Sequence, residues 1–163
     1  MARAIVLRQL TNSAKTRRQL ADKLAERNVP QQVAETVLDR FEELKLIDDA
    51  EFARAWVRSR SQTRSLARSA LRRELQDKGV APELVEEALL QVNDDSERAA
   101  AAELVRRKLR PGSLLSDRAE RDKLLRRLVS MLARKGYSPG LAFAVASQEL
   151  EERLVEERRD AQL

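Results

Sequence analysis

Residues 46–60 read LIDDAEFARAWVRSR, and they contain both a helix start and the only tryptophan of the chain. With Asp48 as the N-cap, Glu51 falls at the third helical position, which completes a capping arrangement. Ile47 and Phe52 then take the two positions of a hydrophobic staple across the helix start. The segment therefore predicts a helix that begins at residue 49.

The predicted helix has two unlike faces. One face is apolar and consists of Phe52, Ala53, Trp56 and Val57. Arg54 and Arg58 lie on the opposite face, about 200° round the helix. Aromatic residues make up only 3% of the chain, too few for a series of base-stacking platforms. We therefore expect Phe52 and Trp56 to belong to the core and the arginines to face a partner.

Composition indicates an all-α protein without the common catalytic groups. Of 163 residues, 42% are hydrophobic, enough for a core, and only four are glycine and four proline. The absence of cysteine and histidine excludes disulfides, thiolate metal sites and histidine-based catalysis. Neither a GxxxxGK(S/T) loop nor a GxGxxG loop occurs. We expect no enzymatic activity, no cofactor and no metal.

Acidic pairs mark the starts of two predicted helices. Asp48 and Asp49 begin the tetrapeptide DDAE, and the similar tetrapeptide DDSE occurs at residues 94–97. Such pairs could bind Mg²⁺ or Ca²⁺, but their spacing fits no calcium-binding loop. Exposed N–H groups and the helix dipole favour carboxylates at a helix start, so we interpret these acids as caps.

Three helix breaks recur along the chain. Each begins with Asn or Gly, which tolerate the left-handed conformation after a helix, and each contains a proline suited to the start of the next helix. They read NVP at 28–30, GVAP at 79–82 and GYSP at 136–139. We assign Gly79 and Gly136 a structural role as C-terminal caps.

Apolar residues recur around these breaks at fixed distances. Four and eight positions before each break stand Leu20, Leu24, Leu71, Leu75, Leu128 and Leu132. Five positions after the first residue of each break stand Val33, Leu84 and Leu141, and nine positions after it stand Val37, Ala88 and Val145. These seams predict a helix on each side of every break, and a further helix precedes each pair. The predicted helices cover roughly residues 2–12, 16–27, 30–44, 49–62, 66–78, 82–92, 95–109, 119–135 and 139–157.

The pattern predicts three tandem three-helix repeats at residues 1–48, 49–94 and 95–163. A unit of about 50 residues buries little surface by itself, so stacking between neighbours must supply part of the stability. We expect an elongated, curved array whose long surface favours binding over catalysis. Residues 110–117, which include proline, glycine and two serines, form the longest predicted break.

Basic residues are separated from acidic ones along the chain, whose net charge is +5. Residues 52–73 contain seven arginines and no acid, and residues 98–135 contain twelve basic residues against four acidic ones. Arg64, Arg68 and Arg72 are spaced by four, which predicts one stripe on one helix, continuing the basic face of the preceding helix.

The charge pattern predicts a surface for an anionic partner, either a phosphate backbone or an acidic protein groove. A solvated surface paired with glutamates is the alternative. The predicted contact residues are Arg54, Arg58, Arg64, Arg68, Arg72, Arg106, Arg107, Lys108, Arg126, Arg127, Arg134 and Lys135.

The start of the chain contains a short apolar run, AIVL at residues 4–7. Four residues are far fewer than a signal-peptide core or the roughly 20 residues of a membrane span require. We expect a cytoplasmic protein that has no membrane partner and is a monomer when free.

Several segments together resemble the RecX family of regulators of bacterial recombination. They are LIDDAEFARAWV at 46–57, LRRELQDKGV at 71–80, RRQL at 17–20 and RRLVSMLARKGY at 126–137, the last similar to actinobacterial members. The likeness extends over nearly the whole chain. Gln19 stands where an acid is frequent in the family and Asn28 where glycine is frequent, and both are capping or turn positions.

The resemblance implies three tandem three-helix repeats that bind the RecA recombinase. It implies further that the protein lodges in the groove of the RecA–DNA filament, blocks its extension or promotes its disassembly, and depresses ATP hydrolysis and strand exchange. It transfers no individual contact residue, so the basic residues named above come from the charge pattern alone. The alternatives are an autonomous basic helical DNA-binding protein and a scaffold whose charges only solubilise it.

Overall fold

The computed structural model describes residues 1–109 and 115–163, so residues 110–114 of the predicted break lie outside the described residues. Each predicted helix is present, and the described residues contain no strand, which confirms the all-α fold. The helices are α1 (Ala2–Asn12), α2 (Arg17–Glu26), α3 (Gln31–Glu43), α4 (Asp49–Thr63), α5 (Arg68–Asp77), α6 (Pro82–Leu89), α7 (Asp94–Lys108), α8 (Arg118–Arg134) and α9 (Pro139–Asp160).

The chain divides into two compact units. The first comprises Met1–Ser59 and Leu71–Gln91, and the second comprises Arg60–Ala70 and Val92–Leu163. A core of the first unit consists of Ala2, Val6, Leu20, Leu24, Ala34, Leu38, Phe41 and Ile47. The core of the second unit includes Ala101, Val105, Leu128, Leu132, Val145, Ala146 and Leu150. The division into three repeats at residues 48 and 94 stays a prediction.

The leucine seams before the breaks are buried. All six predicted leucines are at most 3% exposed. The predicted seam of the following helices is right only in part. Ala88 and Val145 are buried as predicted, but Val33 is 46% exposed, and the residues one position later, Ala34, Val85 and Ala142, are buried. Since one residue corresponds to about 100° of rotation, the face that packs on the leucines extends further round each helix than predicted.

All three breaks share one hydrogen-bonded turn. Their first residues have positive φ angles, 60° for Asn28, 83° for Gly79 and 93° for Gly136. In each, the following N–H donates to the carbonyl of the buried leucine five residues earlier, at 3.0 Å for Val29 and 3.1 Å for Val80 and Tyr137. This is the Schellman arrangement, which satisfies carbonyls at the helix end. The predicted capping role of the two glycines is confirmed.

Both glycine turns pack against the start of an earlier helix. In the first unit, the Thr16 hydroxyl donates to the Lys78 carbonyl at 2.6 Å. In the second unit, the Ala67 N–H donates to the Lys135 carbonyl at 2.9 Å. A Cβ on Gly136 would lie 2.7 Å from both the Cβ and the backbone nitrogen of Ala70. Glycine is therefore required at 136 by the backbone angle and by the close approach of a neighbouring backbone.

The first N–H group of each of the two helices that contact a glycine turn, α2 and α5, donates to a carboxylate from elsewhere in the chain. The Arg17 N–H, at the first residue of α2, donates to Asp49 Oδ1 at 2.9 Å. The Arg68 N–H, at the first residue of α5, donates to Glu97 Oε1 at 2.8 Å. The two starts lie 51 residues apart, which is also the spacing of the first two breaks. We call these two sets of contacts the first junction (residues 16–18, 49 and 78–79) and the second junction (residues 67–70, 97 and 135–136).

Side chains of the second unit also hold the loop between α4 and α5. The Tyr137 hydroxyl donates to the Ser65 carbonyl at 2.6 Å, and Lys135 Nζ donates to the Arg64 carbonyl at 3.0 Å. Ser65 adopts a φ of 52°, which ends the helical path of α4. Because of this turn, α5 begins at Arg68, two residues later than predicted.

Replacing Gly136 by alanine should destabilise the fold by at least about 2 kcal/mol, because the new methyl group meets the Ala70 backbone and the left-handed angle is unfavourable for alanine. Urea unfolding measures the change. Gly140→Ala is the matched control, since a Cβ there has nothing within 4 Å and alanine favours the helix. Equal stabilities of the two variants would contradict the packing described for the second junction.

Titration of Tyr137, the only tyrosine, gives a second check on the second unit. Burial raises the pKa of Tyr137 to about 12, and the charge of Glu97 adds to the shift. The stability contributed by the neutral phenol should be fully present below pH 10 and lost as the pH rises through 12. The ultraviolet absorbance of tyrosinate measures the midpoint, and a midpoint near 10 in the folded protein would show that Tyr137 is exposed.

Candidate partner-binding surface

The arginines of α4 do not form the predicted continuous stripe. Arg54 donates from Nε and a terminal nitrogen to Glu51 at 3.1 and 3.0 Å, and Arg58 lies 3.9 Å from the same carboxylate. Arg64 lies beyond the end of α4 and before the start of α5, so the prediction that Arg64, Arg68 and Arg72 share one helix is wrong. The left-handed turn at Ser65 separates Arg64 from the other two.

The guanidinium group of Arg68 already pairs with carboxylates at the second junction. Its Nε donates to Glu97 Oε1 at 2.8 Å, and a terminal nitrogen pairs with Asp94. These hydrogen bonds, first to Glu97 and then to Asp94, raise the pKa of the Arg68 guanidinium. The Glu97 side chain is only 13% exposed, so removing the arginine would leave a largely buried carboxylate without its partner. We assign Arg68 a structural role.

Other predicted contact residues are also paired. Arg72 makes two hydrogen bonds to Glu86, at 2.6 and 3.2 Å, which lower the pKa of that carboxyl. Arg106 makes two hydrogen bonds of 3.0 Å to Glu149, a carboxylate that is 7% exposed. Arg107 pairs with Glu103 at 3.3 Å, and Lys135 donates to a backbone carbonyl. Arg72 and Arg106 therefore pair with carboxylates that other helices supply.

The remaining predicted cations form no ion pair with a carboxylate of the described chain. They are Arg64, Lys108, Arg126, Arg127 and Arg134. All five are exposed. Four of them, all but Arg64, line a single groove of about 520 Å³ in the second unit. We call this the α8 groove.

The α8 groove combines cations with apolar side chains. Leu124, Leu128 and Met131 line it together with the four basic residues and Ser130. Leu124 and Met131 are half-buried, whereas Leu128 is 3% exposed and belongs to the core. The charge pattern identified the cations but missed the two half-buried apolar residues. The missed signal is the recurrence of LxxR at 124–127 and MxxR at 131–134, outside the core seam of Leu128 and Leu132.

Of the paired acids at the helix starts, Asp48 and Asp49 cap helices, whereas Asp94 and Asp95 lie in the first turn of α7 and are not its cap. Asp48 accepts the N–H of Glu51 at 3.1 Å and caps its own helix α4. Asp49 caps α2 instead, and burial raises the pKa of its carboxyl. At α7 the cap is Asn93, which forms a capping box with Ser96, so the predicted match of residues 94–97 to DDAE is shifted by one residue.

Phe52 and Trp56 are half-buried, so the prediction that they belong to the core is wrong. Their rings stack at 5.9 Å with an interplanar angle of 12°. Trp56 Nε1 donates to Glu74 at 3.0 Å, and Lys78 Nζ lies 4.4 Å from the ring centroid. A tryptophan in this setting keeps its polar edge near solvent, which is why helical spacing alone overestimates its burial.

In residues 1–109 and 115–163, no group of three or more His, Cys, Asp or Glu side chains is arranged to hold a metal ion. Among the described helices, none is both long enough and apolar enough to cross a bilayer.

Comparison with known proteins decides the family. "Regulatory protein RecX" of Streptomyces lividans is 54% identical over 151 residues, which cover 93% of this chain and 78% of that protein. The chain belongs to the RecX family. Models for the first and second three-helix domains of RecX match residues 2–41 and 48–89. RecX proteins of Thermobifida fusca and Mycobacterium marinum are 47% and 46% identical, over 95% and 91% of this chain and 82% and 84% of theirs. The resemblance to actinobacterial RecX is confirmed.

Solved RecX structures share the fold. The crystal structure of RecX from Lactobacillus salivarius superposes with a TM-score of 0.76 at 21% identity, covering 92% of this chain and 94% of that one. A second crystal structure of a regulatory protein RecX gives 0.69 at 23% identity, with 90% and 70% covered. At these identities the likeness establishes the arrangement of helices.

Replacing Trp56 by alanine should destabilise the chain by about 2 kcal/mol, less than the 3 to 5 kcal/mol typical of a fully buried aromatic ring. The variant loses the stack on Phe52, the Lys78 contact and the hydrogen bond to Glu74. Trp56→Phe keeps an aromatic ring and should lose only about 1 kcal/mol. Urea unfolding followed by circular dichroism measures both, and a loss above about 4 kcal/mol for Trp56→Ala would indicate full burial.

Proposed function

We propose that the chain binds the RecA recombinase filament and inhibits its ATP hydrolysis, its extension and DNA strand exchange. The observation that carries the proposal is the 54% identity, over 93% of the chain, to a protein named Regulatory protein RecX. The chain acts in this role as a binding protein rather than an enzyme. A regulator of a bacterial recombinase works where the DNA is, so the proposal includes a cytoplasmic location. The proposal also takes the free chain to be a monomer.

The α8 groove is proposed as part of the partner-binding surface. Its four cations lie outside the ion pairs that tie arginines to carboxylates elsewhere in the described chain. An exposed cation without a carboxylate partner contributes little to folding and is available to an anionic partner. The predicted contact set is thereby narrowed to Lys108, Arg126, Arg127 and Arg134. Arg68, Arg72 and Arg106 serve primarily to hold helices together.

Titrating the chain into RecA that hydrolyses ATP on single-stranded DNA should lower the hydrolysis rate. The double variant Arg127→Glu/Arg134→Glu should raise the concentration for half-maximal inhibition by about tenfold or more, because an engaged arginine contact is worth on the order of 1 kcal/mol. Arg98→Glu/Arg118→Glu is the matched control. It reverses two exposed arginines of α7 and α8 that pair with no described carboxylate and lie outside the groove, and it should inhibit as the wild type does.

Two outcomes contradict the proposal. If excess wild-type protein leaves ATP hydrolysis, filament length and strand exchange unchanged, the chain is not a regulator of the filament. If it binds DNA tightly without recombinase, with affinity that falls steeply with salt, it is an autonomous DNA-binding protein. Arg68 and Arg72 are unsuitable for this test, because both pair with carboxylates of other helices.

A further inference from the structure

The apolar part of the α8 groove is organised along one helix. Leu124 and Met131 stand on either side of the buried Leu128 with the i, i+4, i+7 spacing, and these two half-buried side chains form the accessible ridge of α8. From Leu124 to Met131 the helix rises about 10 Å, or two turns. Arg127 and Arg134 are displaced from Leu124 and Met131 by three residues each, so they form a parallel basic edge. Lys108, the last residue of α7, also lines the groove.

The charge of this surface is uncompensated within the groove. All eight lining residues among the described ones are basic, apolar or serine, and the described chain brings no carboxylate within 4.0 Å of the four cations. A bound partner must therefore supply negative charge. The cations of the α8 groove differ from Arg106 and Arg107 of α7, whose charges are compensated by Glu149 and Glu103.

The apolar ridge distinguishes a protein partner from a nucleic acid. A phosphate backbone would neutralise the cations but would leave Leu124 and Met131 in contact with water or with charged oxygens. Single-stranded nucleic acids gain affinity by stacking bases on aromatic rings, and no aromatic side chain of residues 1–109 and 115–163 lines the α8 groove. An amphipathic helix satisfies both parts of the surface, since its apolar face covers the ridge and flanking carboxylates meet the guanidinium groups.

We propose that the α8 groove binds an acidic amphipathic helix of the partner protein, with apolar residues at i, i+4 and i+7 and aspartate or glutamate beside them. The inference rests on the proposed function, because the partner is taken to be the recombinase in its filament. It adds that this surface contacts protein and not DNA. Methionine and arginine suit the role, because flexible Met side chains adapt to apolar partners and Arg is enriched in protein interfaces.

Site-specific photo-crosslinking tests the chemical class of the partner. Ser130 is exposed and lines the groove, so Ser130→benzoylphenylalanine places a reactive group there with little effect on folding. Arg98→benzoylphenylalanine, on an exposed position of α7 outside the groove, is the matched control. Each variant is mixed with RecA filaments on oligodeoxythymidylate and a non-hydrolysable ATP analogue, sedimented and irradiated, and the products are identified by mass spectrometry.

The expected product joins residue 130 to a helical RecA peptide that carries both acidic and apolar residues, with a much lower yield from residue 98. A product between residue 130 and the oligonucleotide would overturn the inference and leave the proposed function standing. Equal yields from the two positions would also overturn it. Failure of the control variant to sediment with the filament would overturn the proposed function and this inference with it.

A pair of substitutions separates the apolar contribution from the charge. Met131→Gln removes apolar surface and leaves every cation in place, so it should weaken filament binding about tenfold if a helix packs on the ridge. Met131→Leu restores an apolar side chain and should restore binding. Circular dichroism establishes that both variants are folded. Unchanged affinity of Met131→Gln would show that charge alone holds the partner and would overturn the inference.

Discussion

In both compact units, the start of a helix packs directly against the left-handed turn that ends a later helix. The turn has two requirements that reinforce each other. Its Schellman hydrogen bonds fix a positive φ angle, and the approaching helix start leaves no room for a Cβ at residue 136. The carbonyl before the glycine then accepts a hydrogen bond from the residue that precedes or caps the helix start, from the Thr16 hydroxyl in the first unit and from the Ala67 N–H in the second. Backbone contacts of this kind leave little freedom for one helix to slide on the other.

The carboxylates of the two junctions complete this arrangement. Asp49 and Glu97 cap helix starts that are distant in sequence, and Glu97 also pairs with the guanidinium of Arg68. A largely buried carboxylate is costly without a partner, so these pairs select one arrangement of helices among many that hydrophobic burial alone would permit. Exposed pairs such as Arg72 with Glu86 contribute less, typically about 0 to 1 kcal/mol.

Because several arginines pair with carboxylates in the fold, the positive charge of the chain does not by itself identify the residues that contact a partner. A basic residue that already pairs with a carboxylate must break that pair to contact a partner, whereas the cations of the α8 groove are available without rearrangement. The proposed regulatory role needs a surface that is exposed, charged and adaptable. The groove combines these properties with apolar side chains, and the combination favours a protein partner over a phosphate backbone.

The sequence by itself determined the helical class, the position of the breaks and the family. Helical periodicity, glycine followed by proline and paired leucines are local signals, and the interactions that produce them occur within a few residues. It also identified Asp48 as a cap, because that contact spans three residues. Such signals do not determine how deeply Trp56 is buried, or that Ala34 is buried in place of Val33, because both depend on which helix packs on which face.

Only the tertiary structure decided which charges meet. Arg68 and Glu97 are separated by 29 residues and Arg106 and Glu149 by 43, so no window of sequence relates them. Asp49 caps α2 rather than its own helix for the same reason. The charge pattern therefore named twelve contact residues without distinguishing structural cations from available ones. Packing of helices distant in the chain makes that distinction, because a carboxylate supplied from another helix is what converts an apparently free arginine into a structural one.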